Sequence, residues 1–415
     1  MSSSAPNPGR PWSPALLAAA PHRLLFLAGA CNVLLAMLWW TLWLVDARWQ
    51  LVGLPQPPAF AGWMHAVVMQ YQVLPPFMFG FLLTTFPRWM GLPDLHGAHY
   101  VPVGAGLLLG QLLVLVGLAC GLALPLHIGW WLGIAGWSWG LLQLGRVLLA
   151  ERAAGRGPTW HAWSAFAALV LGLAGLLCVL AYLHGDNPWL MFVAIKLGTF
   201  GLLLPVYLTV AHRMFPFFAG NVVKGYQRWR PIWLLPAMWA LLLAHLGLEL
   251  AHAYAWLWLV DLPLALGTTF VLYRWWPRDS APGLLWVLFA GFSWLPLALG
   301  LYAAQSMIYV LTGEFALGRG PVHALSIGFF GSLLVAMVTR VSQGHSGQPL
   351  TMTPAAWFAF VVLQLVAAVR IASEVASDTP AWQVLAACGW LLAFAPWVLR
   401  NAAIYLAPRR DGKPG

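Results

Sequence analysis

Apolar stretches long enough to cross a bilayer recur along the whole chain, and they constrain its fold more than any motif does. Crossing the hydrocarbon core takes about 20 helical residues. Stretches near that length are Leu24–Val45, Gly62–Pro87, Val103–Leu124, Gly129–Leu149, Ala162–Leu183, Trp189–Ala211, Ile232–Leu250, Ala255–Trp275, Gly283–Leu311, Val322–Val341, Ala355–Val375 and Trp382–Ile404. Only 8% of the 415 residues are charged, against roughly 25% in a soluble domain, so most of the surface is not built for water. Inside lipid the backbone must satisfy its own hydrogen bonds, so each stretch is expected to be a helix. The expected fold is an all-α integral membrane protein with about twelve transmembrane helices.

Charge gives an orientation. With a cytoplasmic amino terminus, 17 of the 21 Lys and Arg fall on the cytoplasmic side. Arg48, Arg319 and Arg370 fall outside, and Lys196 lies within a span. That bias follows the positive-inside rule and predicts both termini in the cytoplasm. The 27 Trp suit two interfacial aromatic belts. Residues 1–20, rich in Ser, Pro and Ala, are expected to be a disordered cytoplasmic tail without the order of a cleavable signal. Residues 21–407 read as one transmembrane domain and 408–415 as a short cytoplasmic tail. The net charge of +10 is spread over short loops, which argues for topology signals and against nucleic-acid binding. Cys31, Cys120, Cys178 and Cys388 lie in apolar runs without CxxC spacing, as small buried hydrophobes do.

Ionisable residues inside a span are expensive and mark function by default. Here they gather near the outer face. His65 and His323 lie just inside the outer ends of spans two and ten. His245, Glu249 and His252 fall at helical spacing along span seven, on one face if the helix runs that far. Asp261 and Lys196 belong to the outer halves of spans eight and six. Imidazole is a usual axial ligand of haem iron and the commonest transition-metal ligand. His65 and His323, at matched depth and each followed by Ala, could clamp a haem plane; otherwise each bonds a neighbouring carbonyl and packs. The His245/Glu249/His252 set reads either as a copper or second haem site, or as His245 buried alone beside a solvated helix end. Lys196 either neutralises a haem propionate or another anion, or snorkels outward.

The cytoplasmic ends carry Pro87-Arg88-Trp89, His212-Arg213-Met214-Phe215-Pro216, and Thr339-Arg340 followed by Gly344-His345-Ser346-Gly347. The last is expected to form a tight glycine-rich turn. Walker, GxGxxG, HExxH and nucleophile-elbow motifs are absent from the sequence, and no six-plus-six repeat is evident.

Three of these segments resemble the NnrS family of bacterial membrane proteins. They are His65-Ala66 with Met69 and Gly80-Phe81-Leu82-Leu83-Thr84; Arg213 with Pro216-Phe217-Phe218 and Asn221; and His323-Ala324-Leu325 with Met337, Thr339-Arg340, Gly344-His345 and Gly347-Gln348-Pro349-Leu350. That family is described as haem- and copper-containing and linked to the nitric oxide response. The resemblance implies haem b held by His65 and His323, with Met69 and Arg340 as further cofactor-site residues; Lys196 joins them by its own place within a span. It also implies copper, for which the His245, His252 and Glu249 set read from spacing is the candidate site, and a place in the bacterial inner membrane. Where the family has a second His and a Glu after His65-Ala66, this chain has Val67 and Val68, which depletes that ligand set. The placement of His on spans two and ten also resembles the large subunit of haem–copper oxidases, by analogy of position alone.

The expected function is therefore haem binding in nitric oxide or metal stress, possible catalysis being left open. The alternatives are a secondary transporter for a cation, metal or small anion, and a protein that delivers haem or copper to another enzyme.

Overall fold

The computed structural model describes residues 13–412. Among them, twelve helical rods follow one another: α1 Pro21–Trp49, α2 Ala61–Trp89, α3 Gly97–Cys120, α4 Ala123–Ala153, α5 Trp160–Gly185, α6 Pro188–Val222, α7 Leu234–Leu250, α8 Tyr254–Trp275, α9 Gly283–Thr312, α10 Gly320–Ser346, α11 Pro354–Val375 and α12 Thr379–Leu406. Ten of these are long and apolar enough to cross a membrane. The other two are α7 and α4. At 17 residues, α7 spans about 26 Å at the helical rise. The hydropathy of α4 is diluted by four Trp and by Gln143. The chain is an all-α polytopic membrane protein. One end of the bundle carries Arg88, Arg213 and Arg340 and is called here the basic face; the other is the far face.

Helix ends follow local chemistry. Pro188, Pro354 and Pro380 open α6, α11 and α12, and the side chains of Asn187, Thr353 and Asp378 cap them. A proline there forgoes only a donor that the first turn leaves unused. Two expectations change at the basic face. Gly344-His345-Ser346 is not a turn: α10 runs through it and stops at Gly347, whose φ of +67° suits a residue without Cβ. Pro14–Ala19, expected within the disordered tail, forms a 3-10 turn fastened by Ser13 N to Leu406 O at 3.2 Å and by Tyr100 Oη to Ala18 O at 2.7 Å. The rest of the expected tails, residues 1–12 and 413–415, lies outside the described residues.

The tightest helix pair is α3 with α4, joined through small residues. A Cβ on Gly129 would lie 2.5 Å from Gly110 O, and one on Gly106 would lie 2.7 Å from Gly136 Cα. Small residues let backbones approach where lipid gives helices no hydrophobic drive to associate.

Rods α2 and α10 are the interior ones, with 89% and 72% of their most apolar windows buried. Each contains a π-helical segment, and so does α6: Met69–Val73, Leu197–Leu203 and, one turn from the start of α10, Ala324–Gly331. The wider turn frees backbone groups from the usual ladder, and π segments cluster at functional sites. Side chains from neighbouring rods take up carbonyls in or just before two of these segments. Asn32 Nδ2 donates to Gln72 O at 2.6 Å, Gln70 Nε2 to Ile195 O at 3.1 Å, and Tyr71 Oη to Ala194 O at 2.6 Å. Rods α1, α2 and α6 are thereby locked together below the far-face ends.

Candidate functional site

Two polar groupings occupy the far-face half of the bundle. The first is built on α2 and α10. His65 precedes the π segment of α2 by one turn, and its ring stacks on Trp40 of α1 at 4.2 Å with planes 10° apart. It makes no hydrogen bond among the described residues. His323 is the residue directly before the π segment of α10. Its Nδ1 lies 2.8 Å from Arg319 O, which fixes Nδ1–H as the donor and leaves Nε2 as a free lone pair. Both histidines are half-buried. Their rings do not touch, yet they lie within electrostatic range of each other. Met69 follows one turn after His65 at the start of the π segment, half-buried.

Arg319 and Arg370 stand within electrostatic range of both histidines. Arg370 is buried on α11, where its Nη1 meets Ser373 Oγ at 2.8 Å and the Glu374 carboxylate. Glu374 also packs against the bare Cα of Gly318, where φ is +48° and a side chain would collide. One carboxylate thus holds Arg370 and supports the turn that carries Arg319.

The second grouping is a chain of charges between α6, α7 and α8. Lys196 Nζ lies 2.9 Å from Glu249 Oε2, Glu249 Oε1 lies 3.6 Å from His245 Nε2, and His245 Nδ1 lies 2.6 Å from Asp261 Oδ1. Phe200 stacks on His245 at 3.7 Å, and Tyr302 meets it edge-on at 5.5 Å. Of the two sequence readings, the solvated helix end fails for Glu249, which is 3% exposed and belongs with His245. The shared stripe fails for His252. Rod α7 ends at Leu250, His252 has φ +53°, and its exposed ring bonds Tyr254 Oη at 2.6 Å and stacks on Phe192. Asp261, from the next rod, takes the third place. Among the described residues no three His, Cys, Asp or Glu are arranged to hold a metal ion.

Arg340 lies apart from both groupings. It is 17 residues along α10 from His323, about 25 Å at the helical rise, and its guanidinium stacks on Phe218 at the basic face. Sequence reasoning passed over Arg319 and Arg370, which it counted only as exceptions to the charge bias. Their presence on the face that basic residues avoid was the available signal.

The family described as NnrS protein matches the chain over residues 16–409. No curated protein and no solved structure matches it.

Proposed function

The chain belongs to the NnrS family, and from that premise we propose that it is a haem-binding protein of the bacterial inner membrane, with both termini cytoplasmic and His65 and His323 as the residues that would hold the haem. The observation that carries this reading is the state of the two imidazoles. His323 has Nδ1 engaged by Arg319 O and Nε2 free, the arrangement in which a second-shell carbonyl orients a metal-binding histidine. His65 has no hydrogen bond, and its ring plane is set by Trp40. Arg319 and Arg370 supply the cationic surroundings that haem propionates require. Met69 lies one turn from His65 and would pack against the macrocycle.

Bound there, haem b would supply one-electron chemistry or affinity for a small diatomic such as nitric oxide. Held by His65 and His323, such a haem would be suited chiefly to electron transfer. A role in nitric oxide or metal stress fits the family. Copper fits less well at His245. Its Nδ1 is taken by Asp261, and the Lys196 ammonium next to Glu249 repels a cation. Transport is not favoured either: below the far-face charges the space between α2, α6 and α10 is lined by Phe77, Leu82, Tyr207 and Leu334.

The test is spectroscopic. Purified protein is expected to show a Soret band and a pyridine haemochrome of haem b, with His65→Ala and His323→Ala each losing most of the band. Absence of a Soret band, or an unchanged one in both variants, would overturn the ligand assignment.

A further inference from the structure

Four pairs among the twelve histidines bring their rings close together. The distance between ring centroids tests whether a pair can share a metal ion. With a metal–nitrogen bond of about 2.0 Å, the centroid of a bound imidazole lies about 3.2 Å from the ion. Two rings bound at about 90° to 109° then have centroids roughly 4.5–5.2 Å apart.

His127 and His184 fall inside that window, at 4.7 Å with planes 58° apart. His127 lies near the start of α4 and His184 in the last turn of α5. Residues 154–159 join these two rods at the basic face, so the two rings meet at the open, far-face end of the hairpin. Neither ring makes a hydrogen bond among the described residues. His184 is exposed and His127 half-buried, so each keeps a nitrogen lone pair that a ligand from solvent can reach. The electrostatic neighbour of His127 is His184, with no Lys or Arg beside it among the described residues.

The other three pairs are unsuited. His161 and His212 spend nitrogens on each other at 2.8 Å. His99 gives its Nδ1 to the His96 N–H, and the two rings are 6.0 Å apart. His22 and His345 are 4.4 Å apart, but Arg23, Arg88 and Arg409 stand within electrostatic range of His22 and repel a cation.

We propose that His127 and His184 form a far-face site for a divalent transition-metal ion such as Zn2+, with two imidazoles binding it and water filling the remaining positions. The site is independent of the haem reading. An ion there ties together two rod ends that no loop joins, so its binding energy adds to the stability of the α4–α5 hairpin.

Calorimetric titration of the untagged full chain with Zn2+ tests the assignment, at about pH 7.5, where imidazoles are mostly neutral. Wild-type protein is expected to bind one ion that His127→Gln and His184→Gln each bind at least tenfold more weakly. His22→Gln should bind it as the wild type does. Zn2+ should raise the melting temperature of the wild type and of His22→Gln, and leave that of the other two variants unchanged. Equal Zn2+ affinity in the wild type and either His127→Gln or His184→Gln would overturn the site. So would loss of the ion in His22→Gln, which would assign it to the basic face.

Discussion

Lys196 and Glu249 meet at 2.9 Å inside the bundle, the ammonium about a quarter exposed and the carboxylate almost wholly buried. Glu249 in turn faces His245, so Lys196 supplies the cation of a chain that also holds two carboxylates. Breaking one partner of a buried pair leaves the other charge stranded, which typically costs several kcal/mol. Solvent at Lys196 reduces that here. Lys196→Met should destabilise the protein by about 1–3 kcal/mol. Lys196→Met with Glu249→Leu should cost clearly less than the two single changes added together. Thermal melts of the four proteins check this, and strict additivity would mean that the pair is not coupled.

Gly129 and Gly133 lie one turn apart on α4 and should respond oppositely to alanine. A Cβ at Gly129 meets Gly110 O and Val114 N, both backbone atoms that cannot yield, whereas a Cβ at Gly133 meets nothing within 4 Å. Gly129→Ala is expected to cost roughly 2 kcal/mol or more. Gly133→Ala should be neutral or stabilising by up to about 1 kcal/mol, the helix-propensity gain. Equal melting temperatures for the two variants would refute the close α3–α4 contact.

If haem is held by His65 and His323, Arg370 and Glu374 should move its midpoint potential in opposite directions. A nearby positive charge disfavours the ferric state, so Arg370→Gln should lower the potential; Glu374→Gln removes a negative charge and should raise it. Both shifts are expected on the order of tens of millivolts. Redox titration monitored at the haem bands reads them, and two unchanged potentials would place the iron elsewhere.

The Arg48–Asp378 pair at the far face predicts a pH signature. The Arg48 guanidinium, and then the Ala381 N–H, hold the Asp378 carboxyl below its ordinary value. A depressed carboxyl contributes stability that is complete above its unfolded value, about 3.9. That contribution is lost as pH falls through the lower folded value. The loss in melting temperature caused by Arg48→Gln should therefore be constant from neutral pH to about pH 5 and shrink below about pH 4. A loss that stayed constant at acid pH would show that the pair does not act through charge.

Much of the fold is legible in the sequence because lipid imposes it. Each apolar stretch has one way to satisfy its backbone, and the rods α1 to α12 follow the expected stretches to within a few residues at most ends. The depth of His65, His323 and His245 follows from the same reading. What depth cannot give is azimuth. The partnership of His245 with Asp261, and the placing of Arg319 and Arg370 around the two histidines, depend on how rods turn toward one another. Periodicity in helices that are apolar all round says little about that. His252 shows a further limit: its helical spacing from His245 loses meaning once α7 stops at Leu250. Nor did any local signal distinguish Gly344, inside a helix, from Gly347, which ends one.

The π segments of α2, α6 and α10 carry a further consequence. A π turn amounts to one additional residue within an α-helix, and one residue rotates everything beyond it by about 100°. Each rod is thus two helical stretches set out of phase, the first in α10 being the single turn Gly320–His323. His65, Lys196 and His323 belong to the far-face halves, and Arg88, Arg213 and Arg340 to the basic-face halves. Gaining or losing a residue within a π turn would turn one half while the other kept its heading. The two ends of this bundle can therefore diverge in what they bind while sharing the same three helices.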